Sequence, residues 1–481
     1  MKKIAIVGMG VSGMAVLLAL DKKYCSKPFE AQIDCFDAAD SFGRGFPFRH
    51  DADSALLNSP RETISFDHED IRDFDRWINA SDHPLEAYYP RYVYGDYERD
   101  RLSDISLPFN TYMTKVNAIV RQANKFVLTT EEDEIKTYDQ VHMCCGELPT
   151  QDHYHLEGTP HFIRQPYPMI AKLRLQPAPK SIAIIGTGLS AVDVIKYCAD
   201  HYPQAQLFAF SPSLEFPTSR GQEPVLDFTY LTEDHLAQLV NDHEGVLPYS
   251  AFRDVFYLEA QNLGIDWDHA TGDNRLRGIE GIRNTLEDPE YYGRVQQLAM
   301  QVSLVFTNYW HLMSTEDKKT YQEELGTYIK NLRNPMPPSS AKELINLARS
   351  GRLRLLQQPD QIVWKKGQYR VGATAVHWII NATGQSLKPD LLDLAQPILK
   401  SLVSQQLVSW DPMGGFQIDF ETGQSIDPEG KIVDDLYLHG QLINGYVYQN
   451  NSTVKIQARA VRSLAHDDPI FAEKNVDQAV D

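Results

Sequence analysis

The sequence predicts an α/β fold with two Rossmann-like domains, the second of which carries a helical insertion. Residues 3–20 and 181–195 predict the two units, because each joins a short apolar run to a glycine-rich turn and then to apolar residues at helical spacing. Helix N-terminal signals at 232–234 and 314–317 predict helices through about 225–345. A chain of 481 residues exceeds one hydrophobic core and fits two domains.

The first glycine-rich turn has the G-x-G-x-x-G spacing of a dinucleotide-binding fingerprint. Gly8 is expected to make the tight turn, Gly10 to let the backbone approach a pyrophosphate, and Gly13 to let the helix lie close to the sheet. Ser12 lies in the same turn, where a helix N-terminus offers free N–H groups to an anion. The next apolar run ends in Asp37, at about the 20-residue spacing from which a carboxylate binds ribose hydroxyls.

The second glycine-rich turn repeats the pattern as G-x-G-x-x-A. Its glycines are Gly186 and Gly188, Ala191 takes the third place, and Ser190 lies inside the turn. A single G-x-G-x-x-G is weak evidence, but each turn here lies between a predicted strand and a predicted helix. Two nucleotide sites in one chain indicate two cofactors that exchange electrons.

The strand after the second turn indicates which nicotinamide nucleotide binds. It ends in Ser211, where a site for NAD would favour Asp or Glu, so nothing there repels a 2′-phosphate. Arg220 follows closely and offers a bidentate partner for that phosphate. We therefore expect NADPH rather than NADH. The alternative is that Arg220 is a solvent-exposed loop residue.

In flavoproteins with two dinucleotide sites the first holds FAD, which predicts further cofactor contacts in the loops and at the strand ends. The candidates are Arg44, Gly45, Asn58, Val116, Gly146, Gly384, Gly440, Asn451 and Ser452. Asn451 and Ser452 precede a predicted helix from about Val454 to Ala465, whose N-terminal dipole would face a flavin carbonyl. Arg44 is equally compatible with an ordinary exposed arginine, and Asn58 with a turn cap. The sequence indicates no metal site and no catalytic acid or base.

Composition narrows the class of partner. The formal charge of −19, from 46 basic and 65 acidic residues, argues against nucleic acid or an anionic membrane as partner. The expected partner is a small-molecule substrate. Five cysteines, no signal peptide and no apolar run of about 18 residues predict a cytoplasmic protein. Cys144 and Cys145 are expected to be buried apolar residues rather than a vicinal disulfide. No C-x-x-C pair is present, so the dithiol of a flavin disulfide reductase is missing.

The motifs together resemble those of the bacterial FAD/NAD(P)-binding proteins that are related to flavin-dependent N-hydroxylating monooxygenases. The resemblance rests on the two glycine fingerprints and on residues 42–46, 56–58, 90–97 and 333–338. It implies an FAD-binding domain from 1–175 and 375–481. Between these parts it implies an NAD(P)-binding domain, 176–374, with the helical insertion at about 225–345.

The same resemblance implies an FAD-dependent NAD(P)H oxidoreductase, monooxygenase-like, that hydroxylates a small polar or amino-bearing substrate. Two alternatives stay open. One is an NAD(P)H-dependent flavin reductase acting on a quinone or similar acceptor without oxygen insertion. The other is a flavin-bound sensor or scaffold whose helical insertion docks a partner. The sequence specifies neither the substrate nor the oligomeric state.

Overall fold

The computed structural model describes residues 1–25, 29–272 and 275–465. Its strands are β1 (Lys2–Val7), β2 (Ala31–Phe36), β3 (Asn110–Tyr112), β4 (Val116–Gln122), β5 (Lys125–Thr130), β6 (Ile135–Tyr138), β7 (Gln140–Met143), β8 (Phe162–Ile163), β9 (Ser181–Ile185), β10 (Gln206–Phe210), β11 (Leu353–Leu355), β12 (Ile362–Lys365), β13 (Gln368–Val371), β14 (Thr374–Val376), β15 (Trp378–Asn381), β16 (Gln424–Ile426) and β17 (Ile432–Leu438).

The helices alternate with the strands at both glycine-rich turns and follow one another without strands in the middle of the chain. They are α1 (Val11–Tyr24), α2 (Asp73–Asn79), α3 (Arg91–Asp100), α4 (Met169–Lys172), α5 (Leu189–His201), α6 (Glu233–Asp242), α7 (Tyr249–Asn262), α8 (Trp267–Thr271), α9 (Gly278–Glu287), α10 (Pro289–Tyr309), α11 (Thr315–Tyr321), α12 (Thr327–Arg333), α13 (Pro338–Arg349), α14 (Pro397–Ser404) and α15 (Thr453–Ala465).

The first sheet has the order β16-β17-β7-β1-β2-β3, and all of its strands except β16 run parallel. Its central strand β1 is fully buried from Ile4 to Val7, which is why the sequence reads there as a continuous apolar run rather than an alternating one. Helix α1 lies between this sheet and α15, so apolar residues cover most of its surface. The two ends of the chain therefore share one layer of structure.

The second sheet has the order β11-β10-β9-β15-β8 and is parallel throughout. All five residues of β9 are buried. Two of its strands lie outside the predicted second domain: β8 precedes residue 176, and β15 follows residue 374. β8 and β15 belong to this sheet because they pair with strands that are distant in the sequence. The local sequence pattern of a strand carries no information about such pairing.

Between β10 and β11 the chain forms α6 to α13. Thr232 and Ser314 accept hydrogen bonds from the backbone N–H groups of His235 and Asp317, as helix-capping residues do. An aromatic core containing Phe306 holds these helices together and also includes Tyr448 from the C-terminal part of the chain. In the described parts of the chain, no helix is both long and apolar enough to cross a membrane.

Candidate active site

One cleft of about 1160 Å³ runs between the two sheets and is lined by both glycine-rich turns. Most of the predicted cofactor contacts line it, namely Gly8, Gly10, Ser12, Asp37, Gly45, Asn58, Val116, Gly146, Gly186, Gly188, Ser190, Ser211, Arg220, Gly384, Asn451 and Ser452. Gly13, Arg44 and Gly440 are not among the lining residues. The fold thus brings two distant sequence motifs to a single cavity.

The two turns share the same construction. Gly8 has a φ of +96°, and a Cβ added there would lie 2.8 Å from the backbone of Cys144, just after β7. Gly186 has a φ of +115°, and its Cβ would lie 2.8 Å from the carbonyl oxygen of Ala382, just after β15. In both places the turn crosses the end of a neighbouring parallel strand, so only glycine fits.

The second glycines of the two turns, Gly10 and Gly188, have different surroundings. A Cβ on Gly10 would lie 2.8 Å from the Cα of Gly45, so this glycine is required by contact between two loops of the protein as well as by any ligand. A Cβ on Gly188 would meet nothing within 4 Å, so the space there is open to the cleft. Gly13 lies behind the turn, where a Cβ would overlap the carbonyl oxygen of Gly8. It therefore serves the close packing of α1 that its place in the motif predicts.

Asp37 lies at the end of β2 with its carboxylate fixed by the protein. Oδ2 accepts a hydrogen bond from the Met9 backbone N–H at 2.7 Å. Oδ1 accepts bonds from the Ala38 N–H at 2.8 Å and the Ser41 hydroxyl at 2.7 Å. These donors hold the carboxylate at the cleft wall, and an ionised carboxylate retains acceptor positions for ribose hydroxyls.

Two predicted contacts on the FAD side have other partners in the structure. Arg44 forms an ion pair with Asp96 at 2.8 Å, so it is neither a cleft residue nor an ordinary exposed arginine. Gly440, with a φ of +63°, packs so closely on the Ser12 hydroxyl that a Cβ would overlap it. Both partners lie far away in the sequence, and for this reason neither contact was evident from local motifs.

The residues predicted to select the nicotinamide nucleotide are also held by the protein. The Ser211 hydroxyl lies 2.8 Å from that of Thr187, in the second glycine-rich turn. Arg220 lines the cleft, but its guanidinium pairs with Glu223 and donates to the backbone carbonyl of Asn58 at 2.7 Å. Burial lowers the pKa of Arg220. Arg220 therefore connects two loops and is neither the free phosphate partner nor the solvent-exposed residue expected from the sequence.

A partly buried ion pair joins the two sides of the cleft. Arg91, at the start of α3, pairs with Asp193 on α5, and the Tyr167 hydroxyl donates to the same carboxylate at 2.8 Å. Burial disfavours the charge on Arg91, but the facing Asp193 and Tyr167 outweigh it and raise the pKa of Arg91. Because α5 begins directly after Gly188, this pair joins the helix of the second turn to α3.

Basic side chains outnumber acidic ones along the cleft although the whole chain is acidic. The basic ones are Arg49, Arg91, Lys115, Arg220, Lys330, Arg333 and Lys455, and the acidic ones are Asp37, Asp51, Glu147, Glu215 and Glu223. The excess of basic side chains along the cleft provides positive charge for the phosphates of a cofactor, although the whole chain is acidic. Of these residues the sequence singled out only Asp37 and Arg220 as site residues. Arg91 and Arg333 lie in the motifs 90–97 and 333–338, but those motifs do not show that their side chains face a cleft.

All five cysteines are free, and Cys144 and Cys145 are buried beside the first turn. Burial raises the pKa of the Cys145 thiol to about 12 and that of Cys144 well above its ordinary value. Both thiols are therefore protonated and unreactive at neutral pH. The expectation of two buried apolar residues rather than a vicinal disulfide is confirmed.

Two parallel sheets with a shared cleft, and a glycine-rich turn from each sheet in that cleft, define the class as an α/β protein with two dinucleotide-binding folds. Open space at Gly188, the oriented Asp37 carboxylate and the local cations fit nucleotide cofactors. Residues 5–148 match the family described as FAD-NAD(P)-binding, in agreement with the expected FAD and NAD(P) cofactors.

Similar proteins include one relative found by sequence and two solved structures. A trimethylamine monooxygenase from Roseovarius sp. (strain 217) is 26% identical over 219 residues, which cover 41% of this chain and 48% of the relative. The match thus spans about half the length of that relative. An ornithine N-hydroxylase from Kutzneria sp. 744 superimposes with a TM-score of 0.54 at 13% identity, covering 96% of this chain and 97% of its own. An L-lysine 6-monooxygenase from Pseudomonas syringae gives 0.54 at 14% identity, with coverage of 96% and 98%. These structures establish the shared fold.

Proposed function

We propose that this protein is an FAD-dependent NAD(P)H monooxygenase that hydroxylates a small polar or amino-bearing substrate. The observation that carries the proposal is the single cleft lined by both nucleotide turns, since hydride passes directly between two cofactors only when they meet in one cavity. The relatives named above are monooxygenases by description, which supports oxygen insertion over the alternative acceptors.

In this proposal FAD lies against the first turn, α1 and Asp37, and the nicotinamide nucleotide lies against the second turn and α5. FAD supplies the redox chemistry, accepting hydride and activating oxygen. The residues of this chain bind the two cofactors and orient them. The N-termini of α1 and α5 receive phosphates, Asp37 binds ribose, and the Arg91–Asp193 pair fixes the distance between the two sites. We assign the FAD-binding domain to 1–175 and 375–481, apart from β8 and β15, and the NAD(P)-binding domain to 176–374. A cytoplasmic location belongs to the same proposal.

Rapid mixing of NADPH with the protein without oxygen, followed by mixing with oxygen, tests the proposal. We expect the flavin colour to bleach and then to return through a blue-shifted absorbance that persists for seconds or longer. Immediate reoxidation would favour the reductase that transfers electrons to a quinone. Absence of NADPH oxidation with every acceptor, together with a stable protein partner, would favour the sensor or scaffold.

A further inference from the structure

Arg333, which is buried, and Lys455, which is half-buried, both line the cleft wall formed by the helical segment and α15. Arg333, at the end of α12, is 6% exposed, and its Nη1 donates to Gln449 Oε1 at 2.9 Å and to Asn451 Oδ1 at 3.0 Å. Its Nε is buried and has no hydrogen-bond partner within the described chain. Lys455, in the first turn of α15, donates to the carbonyl oxygen of Ser303 and, at 2.8 Å, to its hydroxyl.

Neither basic side chain has an acidic partner in the described parts of the chain. Within residues 1–25, 29–272 and 275–465, no Asp or Glu forms an ion pair with Arg333 or Lys455. Burial lowers the pKa of Arg333, and burial together with the charge of Arg333 lowers the pKa of Lys455 to about 6. A buried charge without a counter-ion is costly, and perturbed ionisable groups in a cleft mark candidate ligand sites.

The neighbouring wall of the cleft is largely apolar. Helix α10 presents Gln297, Met300 and Leu304 to the cavity at helical spacing, and Leu304 remains 50% exposed. Ser303, the partner of Lys455, lies on the same helix. A ligand with an anionic group at the two cations would therefore place its body along Met300 and Leu304.

We propose that Arg333 and Lys455 bind the carboxylate of the substrate, which makes the substrate an acid with an apolar chain. The inference rests on the proposed function only in identifying this acid as the substrate. A phosphate of the nicotinamide nucleotide has the same oxyanion chemistry, so the experiment must separate the two ligands.

Calorimetric titration of the FAD-loaded protein with hexanoate and, separately, with hexylamine tests the subsite without turnover. We expect hexanoate to bind at least about tenfold more tightly than hexylamine. Arg333→Met should weaken hexanoate about tenfold to a hundredfold, as expected for loss of a charged hydrogen bond, while NADPH affinity changes little. Arg333→Lys should retain part of the hexanoate affinity. Lys319→Met removes an exposed charge from the same helical segment away from the cleft and should behave as the wild type.

The wild-type protein gives a second readout, independent of whether the variants fold. Arg333 and the Ser303 hydroxyl and carbonyl face Lys455, and a bound carboxylate would add the counter-ion that favours its charged form. Hexanoate binding at pH 7.5 should therefore take up a proton, seen as a dependence of the binding heat on the ionisation enthalpy of the buffer.

Three results would overturn the proposal: hexylamine binding as tightly as hexanoate, hexanoate binding without proton uptake, or Arg333→Met losing NADPH while keeping hexanoate. The last would assign the two cations to the nucleotide. Because no step requires oxygen or reduced flavin, failure of the monooxygenase reaction would leave these binding results unaffected.

Discussion

Glu98 on α3 is fully buried, and neither carboxylate oxygen has a hydrogen-bond partner within the described chain. Burial raises the pKa of Glu98 well above its ordinary value, and the positive charge of Arg44 only partly opposes this effect. This shift favours the neutral acid in the folded protein, whereas the exposed side chain of the unfolded protein is ionised at neutral pH. Its stabilising contribution is complete below the unfolded pKa of about 4.3 and is lost as pH rises towards the folded pKa.

Replacing Glu98 by Gln should consequently stabilise the protein more at pH 8 than at pH 4.5. The amide keeps the shape of the neutral acid and removes the cost of suppressing ionisation. We expect the melting midpoint at pH 8 to rise by roughly 2–4 °C for each kcal/mol gained, with little change at pH 4.5. Equal shifts at both pH values would mean that Glu98 is ionised in the folded state.

Ser211 provides the residue-level test of nucleotide choice. Ser211→Glu places a carboxylate at the end of β10, where it would repel a 2′-phosphate and bind the ribose hydroxyls of NADH. We expect NADPH affinity to fall by about tenfold or more relative to NADH. Dissociation constants from flavin fluorescence would measure the ratio. Ser211→Ala is the matched control, since it also removes the contact with Thr187 but adds no charge. A ratio that is the same in all three proteins would place the 2′-position elsewhere.

The contacts of Arg220 in the structure predict a different effect of its substitution from the one that its sequence position suggests. Because its guanidinium joins Glu223 to the carbonyl of Asn58, Arg220→Ala should lower the thermal midpoint and leave the NADPH to NADH ratio unchanged. Differential scanning fluorimetry and the same fluorescence titrations would measure both. A selective loss of NADPH would show that Arg220 exchanges its protein partners for the phosphate.

At the scale of elements, Gly146, which follows β7, and Gly188, which precedes α5, allow the two proposed cofactor sites to be tested separately. A Cβ added at Gly146 or Gly188 would meet no protein atom within 4 Å, and neither residue has a positive φ. Each valine would therefore obstruct a ligand without disturbing the fold. Gly10 is less suitable, because any side chain there would collide with Gly45.

We expect Gly146→Val to purify with little FAD, and Gly188→Val to keep its FAD but to be reduced slowly by NADPH. Flavin absorbance of the purified proteins and stopped-flow reduction would measure the two effects. The reverse pattern would exchange the cofactors between the two turns.

The same elements show how far the sequence could predict the site. Each glycine-rich turn was recognisable because its strand, turn and helix are consecutive in the chain. The contacts of Arg44 with Asp96, of Arg220 with Asn58 and of Gly440 with Ser12 were not recognisable. In each contact the two residues come from different segments of the chain. The subsite of Arg333 and Lys455 was missed for the same reason. Residues 333–338 were recognised as a motif, but nothing in the local sequence places Arg333 beside the start of α15.

At the scale of the whole molecule, the Arg91–Asp193 ion pair joins the two nucleotide-binding folds. Arg91→Met would leave Asp193 buried without its counter-ion, which typically costs about 3–5 kcal/mol. We expect a lower denaturation midpoint and slower flavin reduction with FAD still bound. Adding Asp193→Leu should recover much of the lost stability, because it removes the unpaired charge. No recovery in the double variant would mean that the pair acts mainly through packing.

The account depends on hydride transfer between two cofactors within one cleft. The most direct measurement is the rate of anaerobic flavin bleaching by NADPH, compared with the rate for NADPH carrying deuterium at the transferred position of nicotinamide C4. We predict that the flavin bleaches within a single complex of the protein with NADPH. We also predict that the bleaching rate is lower with the deuterated NADPH. A protein that holds both FAD and NADPH yet shows no bleaching, or bleaching only through an added electron carrier, would contradict it.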